Sequence, residues 1–194
     1  MDHDLRPYHH GDLRNELIRV GLELISEGGT DGVGLRESAR RIGVSPSAAY
    51  RHFENRAELV DAVHDRVLHN LADELRTALA GHEDDDVKAR LQIVGRAYFK
   101  FAVDNPMQFE ALATAFPLAT DWATSSARPL HIVIQLISES DKPSQATDAL
   151  AIWAIVHGAA SLTTIGGLRD LPLDEKWALL DRTIDILITG LELD

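Results

Sequence analysis

The sequence predicts an all-α protein, and three observations carry that prediction. Apolar residues recur at three- and four-residue steps in nearly every periodic segment, with no convincing strand alternation. Capping residues open these segments, and glycines or prolines close them. The longest apolar run, roughly Ala149 to Ala160, falls short of the ~18 residues that suggest a membrane span. About nine helices are expected, divided between a small N-terminal domain, residues 1–56, and a larger one, residues 57–194.

The first helix should run from about Asp12, which can cap it, to Glu27. Leu13, Leu17, Val20 and Leu24 form one face, and Gly28-Gly29 stops it. A second, short helix follows Gly34, with Glu37 placed to bond back to the cap's N–H, and ends at Ile42 before Gly43. In "VSPSAAYRHF", Ser45 is a good N-cap and Pro46 suits the first helical position. The third helix thus begins within about three residues of the second one's end, which is helix-turn-helix spacing. A fourth helix starts at Asn55, where Asn55 and Glu58 make a capping-box arrangement. Leu59, Val63, Val67, Leu71 and Leu75 give it an apolar stripe.

"AGHEDDDV", residues 80–87, is the clearest break, and a further helix reads from there to Asp104. Helices are expected over 106–115, 121–139, 143–166 and 173–190, punctuated by Pro106 and Pro117. "ALAIWAIVHGAASL" is apolar nearly all round and so needs burial on more than one side. The last helix carries Trp177, Leu180, Ile184, Leu187, Ile188 and Leu191 on one broad face. A homodimer through 143–166 and 173–190 would cover both, with Gly158, Ala159 and Ala160 allowing close approach.

Composition narrows the function. With no cysteine, disulfides, thiolate metal sites and cysteine nucleophiles are excluded. The start, "MDHDLRPYHHGDL", lacks the cationic and apolar regions of a secretory signal, so a soluble cytoplasmic protein without membrane attachment is expected. His9 and His10 are adjacent and would diverge on a helix, and no HExxH set, GxSxG elbow, Walker loop or dinucleotide fingerprint is present. No metal, cofactor or catalytic residue set is expected, and an enzymatic reading ranks last.

Charge points elsewhere. The formal net charge is −12, yet "LRESARRIGVSPSAAYRHFENRAEL", residues 35 to 59, holds five arginines against three carboxylates. A helix-turn-helix lays its second helix in the major groove while the first crosses the backbone. Ser45, Pro46, Ser47, Ala48 and Ala49 are slim enough for close approach, and Tyr50, Arg51 and His52 supply polar groups. Arg51 can meet guanine bidentately or clamp a phosphate. Arg36 and Arg56 sit in first helical turns, where a cation opposes the helix dipole, so another partner should favour them; a phosphate is one. The alternative is an ordinary helical corner with a solvated charged face.

The residues "GLRESARRIGVSPSAAYRHFENRAELVDAV" resemble the DNA-binding domain of TetR-family transcriptional repressors. Gly43-Val44-Ser45, Tyr50, Phe53 and the segment from Arg56 to Leu59 fall on that pattern, and the resemblance covers residues 8–60. Gly34 stands where the family usually has Ser or Thr, Ser38 where it has an aliphatic, and Arg56 where it has lysine. "WAIVHG", with Trp153, His157 and Gly158, is similar to the regulatory domain of one subgroup, the WHG type. The resemblance implies an N-terminal helix-turn-helix domain and a larger ligand-binding and dimerisation domain. It implies phosphate contacts from Arg36, Ser45, Tyr50, His52 and Arg56, and base-edge or mixed contacts from Pro46, Ser47, Ala48 and Arg51. Tyr8, His9 and His10 either touch the backbone or belong to a frayed terminus.

Downstream aromatics, Tyr98, Phe99, Phe101, Phe109, Phe116, Trp122 and Trp153, usually mean core, although a helical domain of this size can keep an apolar pocket. Phe101, Met107, Phe109, Trp153 and His157 are the candidate ligand contacts; His131 is a further polar group on an apolar helix. The expected partners are a pseudo-palindromic double-stranded DNA operator, a small-molecule effector and a second copy of the chain. The competing class is a helical ligand carrier or interaction protein without DNA binding.

Overall fold

The computed structural model describes residues 13–115, 128–139 and 146–190. Among the described residues there are nine α-helices and one 3-10 turn, and no strand. The chain divides into two compact units, Met1–Arg66 and Val67–Asp194.

In the first unit, α1 (Leu13–Gly28) buries the predicted face together with Ile18, Gly21 and Ile25. It ends where Gly29 takes φ 70, a left-handed value that glycine adopts without Cβ strain. Its expected cap, Asp12, lies outside the described residues, as do Tyr8, His9 and His10. A 3-10 turn (Thr30–Gly32) leads to α2 (Leu35–Arg41), and α3 (Pro46–Ala49) follows a turn in which Gly43 has φ 74. Leu35, Ala39, Ala49 and Phe53 close the core against α1 and the first turns of α4 (Arg56–Leu79), whose Leu59 and Val63 are fully buried. A Cβ on Gly21 would stand 2.4 Å from Val63 Cγ2, so glycine sets how closely α1 and α4 approach.

The two capping expectations fare differently. Asn55 Oδ1 accepts from the Glu58 N–H at 3.1 Å, but the Glu58 carboxylate takes the Glu54 N–H, at 2.6 Å, rather than that of Asn55. At α2 the box does not form. The Glu37 carboxylate accepts from Arg40 at 2.8 and 2.7 Å and from Arg41 at 3.0 Å. Two guanidinium groups offer charge-assisted bonds, stronger than one neutral N–H, and Gly34 has no side chain to return the other half.

In the second unit, the rest of α4 buries Val67, Leu71 and Leu75. Asp86 caps α5 (Val87–Asp104) by accepting from the Ala89 N–H at 2.8 Å. Helix α5 then packs against α6 (Pro106–Ala115), α7 (Pro129–Ser138), α8 (Ala146–Thr164) and α9 (Leu173–Gly190). Phe99, Phe101 and Phe109 are buried in that core. The expected helices over 121–139 and 143–166 correspond to α7 and α8; residues 116–127 and 140–145, with Phe116, Pro117 and Trp122, lie outside the described residues.

The broad face of α9 is covered within its own chain. Leu180, Ile184, Leu187 and Ile188 are buried, and the Trp177 ring packs edge-on against Phe99 at 4.8 Å, with Arg96 over it at 4.9 Å. Leu191 lies outside the described residues. The apolar side chains left facing outward are others, including Ile155 and Leu162 of α8 and Leu179 and Ile186 of α9. Ile186 is 58% exposed and Leu162 52%, high values for residues of that size. No helix among the described residues is long and apolar enough to cross a membrane.

Candidate functional site

The corner between α2 and α3 is built from backbone hydrogen bonds. The Gly43 N–H donates to Arg40 O at 3.2 Å and the Val44 N–H to Ala39 O at 3.0 Å, closing α2 before the chain turns. Ser45 then caps α3, its Oγ accepting from the Ala48 N–H at 3.3 Å and sharing a 2.9 Å bond with Ser47 Oγ. The α-helical part of α3 is only four residues. The tighter bonds from Arg51 N–H to Ala48 O and from His52 N–H to Ala49 O continue it as a turn into buried Phe53. Arg14 of α1 lies over the Phe53 ring at 4.9 Å and holds that end down.

This geometry sorts the predicted contacts. Ser45, Pro46, Ser47, Tyr50 and Arg51 are exposed on one short element, with Tyr50 47% exposed, and His52 is half-buried beside them. Ala48 is buried with Ala49, because the turn directs that side of α3 inward. Arg36 is exposed in the first turn of α2. Arg56 is exposed too, and its cation has partners within the protein. Its Nε donates to Val33 O at 2.8 Å and its Nη2 to Thr30 O at 2.6 Å, with Asp31 at 3.8 Å. Arg56 therefore ties the start of α4 to the turn that precedes α2.

Two more of the five arginines are also engaged. Arg41 reaches from α2 to Glu27 at the end of α1, with bonds of 2.7 and 2.6 Å, and Arg40 and Arg41 share Glu37. Hydrogen bonds from Arg40 and then Arg41 hold the Glu37 carboxyl down at about 2, and Arg41 lowers Glu27 in the same way. Both carboxylates stay ionised throughout the neutral range, so these arginines contribute little net charge. The i,i+4 spacing of Glu37 and Arg41 could have been read from the sequence; the bridge to Glu27 depends on how α1 and α2 pack. Of these five arginines, Arg36 and Arg51 are exposed and not held by a carboxylate among the described residues.

In the second unit a cavity of about 20 Å³, room for one water, lies between α4, α5, α7, α8 and α9. Leu75, Leu91, Val133, Ile152, Ile184 and Leu187 are among its walls, and no charged side chain lines it. Of the five candidate ligand contacts, only Trp153 lines it. Phe101 and Phe109 are buried as core, and Met107 is half-buried on α6. His157 lies behind the wall, where its Nδ1 shares a 2.6 Å hydrogen bond with the hydroxyl of Tyr98, which does line the cavity. Tyr98 is wedged edge-on between Trp153, at 4.9 Å, and Phe109, at 6.0 Å. Burial pushes the Tyr98 phenol well up and the His157 imidazole down, so both are neutral at pH 7. A signal for this wall was present in Gly95, a glycine inside a helix: a Cβ there would meet Ile184 Cδ1 at 2.7 Å.

Comparison with known proteins agrees with this division of labour. The model for bacterial regulatory proteins of the tetR family matches residues 17–63, and the model for a tetracyclin repressor-like C-terminal domain matches residues 91–187. The class A tetracycline repressor protein from transposon 1721 of Escherichia coli is 43% identical over 54 residues, covering 28% of this chain and a quarter (25%) of that repressor. An uncharacterized HTH-type transcriptional regulator of Mycobacterium tuberculosis is 25% identical over 166 residues, 83% of this chain and 74% of the relative. Among solved structures, a protein of unknown function from Rhodococcus sp. RHA1 superposes with a TM-score of 0.73 at 27% identity, over 95% of this chain and 98% of that one. A minocycline-bound TetR variant from Acinetobacter baumannii AYE has a TM-score of 0.65 at 24% identity, over 92% of this chain and 95% of that one, a likeness of fold.

Proposed function

The chain belongs to the TetR family of DNA-binding transcriptional regulators, and from that premise we propose that it is a repressor released from a pseudo-palindromic operator by a small-molecule effector. Residues 1–56 carry the DNA-binding function and residues 57–194 the regulatory and dimerisation function. The reading is cytoplasmic and non-enzymatic, and membership of a DNA-binding family sets aside the carrier without DNA binding.

The observation that carries the proposal is the exposed row Ser45, Pro46, Ser47, Tyr50 and Arg51 beside exposed Arg36, in a segment whose other arginines, Arg40, Arg41 and Arg56, are engaged within the chain. Arg36, Ser45, Tyr50 and His52 position the phosphates, and Pro46, Ser47 and Arg51 meet base edges. A homodimer forms through α8 and α9. Outward-facing Ile155, Leu162, Leu179 and Ile186 support it, as does Gly158, where a Cβ would meet nothing within 4 Å. Two-fold symmetry then calls for two half-sites about one helical turn apart, or multiples of it. The effector acts at the cavity beside Trp153, and it releases DNA only through tighter binding to an arrangement that does not fit the operator.

A gel-shift titration on DNA from around the protein's own gene, repeated across salt concentrations, tests the contacts. Arg36→Ala should weaken binding to all sequences alike and lower the salt slope by about 1.8, about 0.9 from each protomer. Arg51→Ala should also relax preference at one base pair in each half-site, costing about 1–3 kcal/mol per half-site. Arg56→Ala should weaken binding with the slope unchanged, because its cation serves carbonyls. If Arg36→Ala and Arg51→Ala leave both affinity and slope intact, the assignment is wrong.

A further inference from the structure

Resting on the effector reading above, we propose that the cavity of the second unit takes an uncharged ligand with an aliphatic body and a single hydroxyl or carbonyl group set against the Tyr98 hydroxyl. The walls exclude other chemistries. The lining is aliphatic apart from Gly95, Tyr98 and Trp153, so a carboxylate, phosphate or ammonium entering it would be stripped of water with no opposite charge to meet.

The Tyr98–His157 pair does not supply that charge. Burial keeps the phenol protonated and the imidazole neutral, and a 2.6 Å bond joins Tyr98, which lines the apolar space, to His157, which does not. Either arrangement of the shared proton leaves one place for a neutral partner. If the phenol donates to Nδ1, its oxygen still accepts from a ligand hydroxyl. If Nδ1–H donates to the phenol, the phenolic O–H is released to a ligand carbonyl. One polar group on the ligand satisfies the site, and a second would be buried without a partner.

The cavity must also expand, since about 20 Å³ admits a single water. The contact that gives most easily is at Gly95, where α5 and α9 are separated by the terminal methyl of Ile184; the Val156 Cγ2 methyl lies 3.9 Å from the Cβ position. These are side-chain ends, so rotamer changes can widen the space before a helix has to move. A ligand larger than that widened space parts α5 from α9 and so binds the parted arrangement in preference to the closed one, which is the differential affinity that a switch requires.

Calorimetric titration of the full chain with 1-octanol, octanoate and octylammonium at pH 7.5 tests the ligand class. Saturable octanol binding is expected, with both ions weaker by about tenfold or more. Tyr98→Phe, which keeps the ring, should weaken octanol about three- to tenfold and leave n-heptane unchanged, the loss of one neutral hydrogen bond. The ranking of the three probes in the unaltered protein stands even if the variant folds poorly. Octanoate or octylammonium binding as tightly as octanol, octanol binding indifferent to Tyr98→Phe in a folded variant, or no saturable octanol binding would overturn the proposal. Saturable octanol binding that leaves DNA affinity unchanged supports the ligand class and overturns only the effector switch. Release of DNA by a charged compound, with no octanol binding, does the reverse.

Discussion

Gly21→Ala adds one methyl group at the contact between α1 and α4 and should disturb both folding and DNA binding. The new Cβ would stand 2.4 Å from Val63 Cγ2, against the roughly 3.5–4.0 Å at which carbon atoms rest, an overlap of more than about 1 Å. Rotation of Val63 gives little relief, because its Cβ and Cγ1 already lie 3.6 Å from the same point and a β-branched side chain in a helix has one strongly preferred rotamer. The helices must part. Overpacking of this kind costs about 1–3 kcal/mol, offset by the ~1 kcal/mol that alanine gains over glycine in a helix. A net loss of up to about 2 kcal/mol follows. Val63→Ala alone should cost about 2 kcal/mol, since the side chain is fully buried. In the double variant the new methyl enters the space Val63 leaves, so the combined loss should fall short of the sum by at least about 1 kcal/mol. Urea denaturation followed by far-UV circular dichroism, at one protein concentration because a dimer's stability depends on it, measures all four corners. DNA affinity should fall in Gly21→Ala and recover in the double variant. Additivity within about 0.5 kcal/mol would refute the reasoning.

Ser38→Ala should stabilise the protein by about 1 kcal/mol, because the Ser38 Oγ is fully buried without a hydrogen-bond partner; a lowered denaturation midpoint would contradict this. Burial lowers the His157 pKa, so His157 contributes stability that is complete above its unfolded value near 6.5 and is lost as pH falls through the folded value. The melting temperature should therefore drop below pH 6.5, and His157→Gln should shallow that drop. His64, lowered mainly by burial and bonded to Thr30 Oγ1 at 3.3 Å, should supply a remainder that His157→Gln leaves in place.

The parts of this molecule that were readable in the sequence are those set by nearest neighbours along the chain. The end of α1 at Gly29, the Gly43 corner, the Ser45-Pro46 start of α3 and the stripe of α4 all follow from residues within four positions of one another. What escaped depends on partners brought in from elsewhere. The dipole argument drew Arg56 toward an external anion, yet its bonds go to carbonyls more than twenty positions away. Ala48 reads as a small, approachable residue, but only the packing of α3 shows that it faces inward. Conspicuous aromatics supply only Tyr98 and Trp153 to the cavity, whose other walls are mostly aliphatic residues from five helices that no local pattern links. His157, a polar residue on an apolar helix, is bonded to Tyr98, 59 positions earlier.

With Arg40 and Arg41 bound to carboxylates of their own chain, residues 35–59 offer bulk DNA fewer unpaired cations than five arginines would, on a molecule of net charge −12. Binding to arbitrary sequence is almost wholly a matter of phosphate neutralisation. Such a protein is expected to hold random DNA weakly and to meet its operator more by repeated encounters from solution than by long slides. Chromosomal DNA then buffers its free concentration only slightly. Operator occupancy rises and falls nearly in step with copy number, so a modest change in synthesis is felt promptly at the promoter.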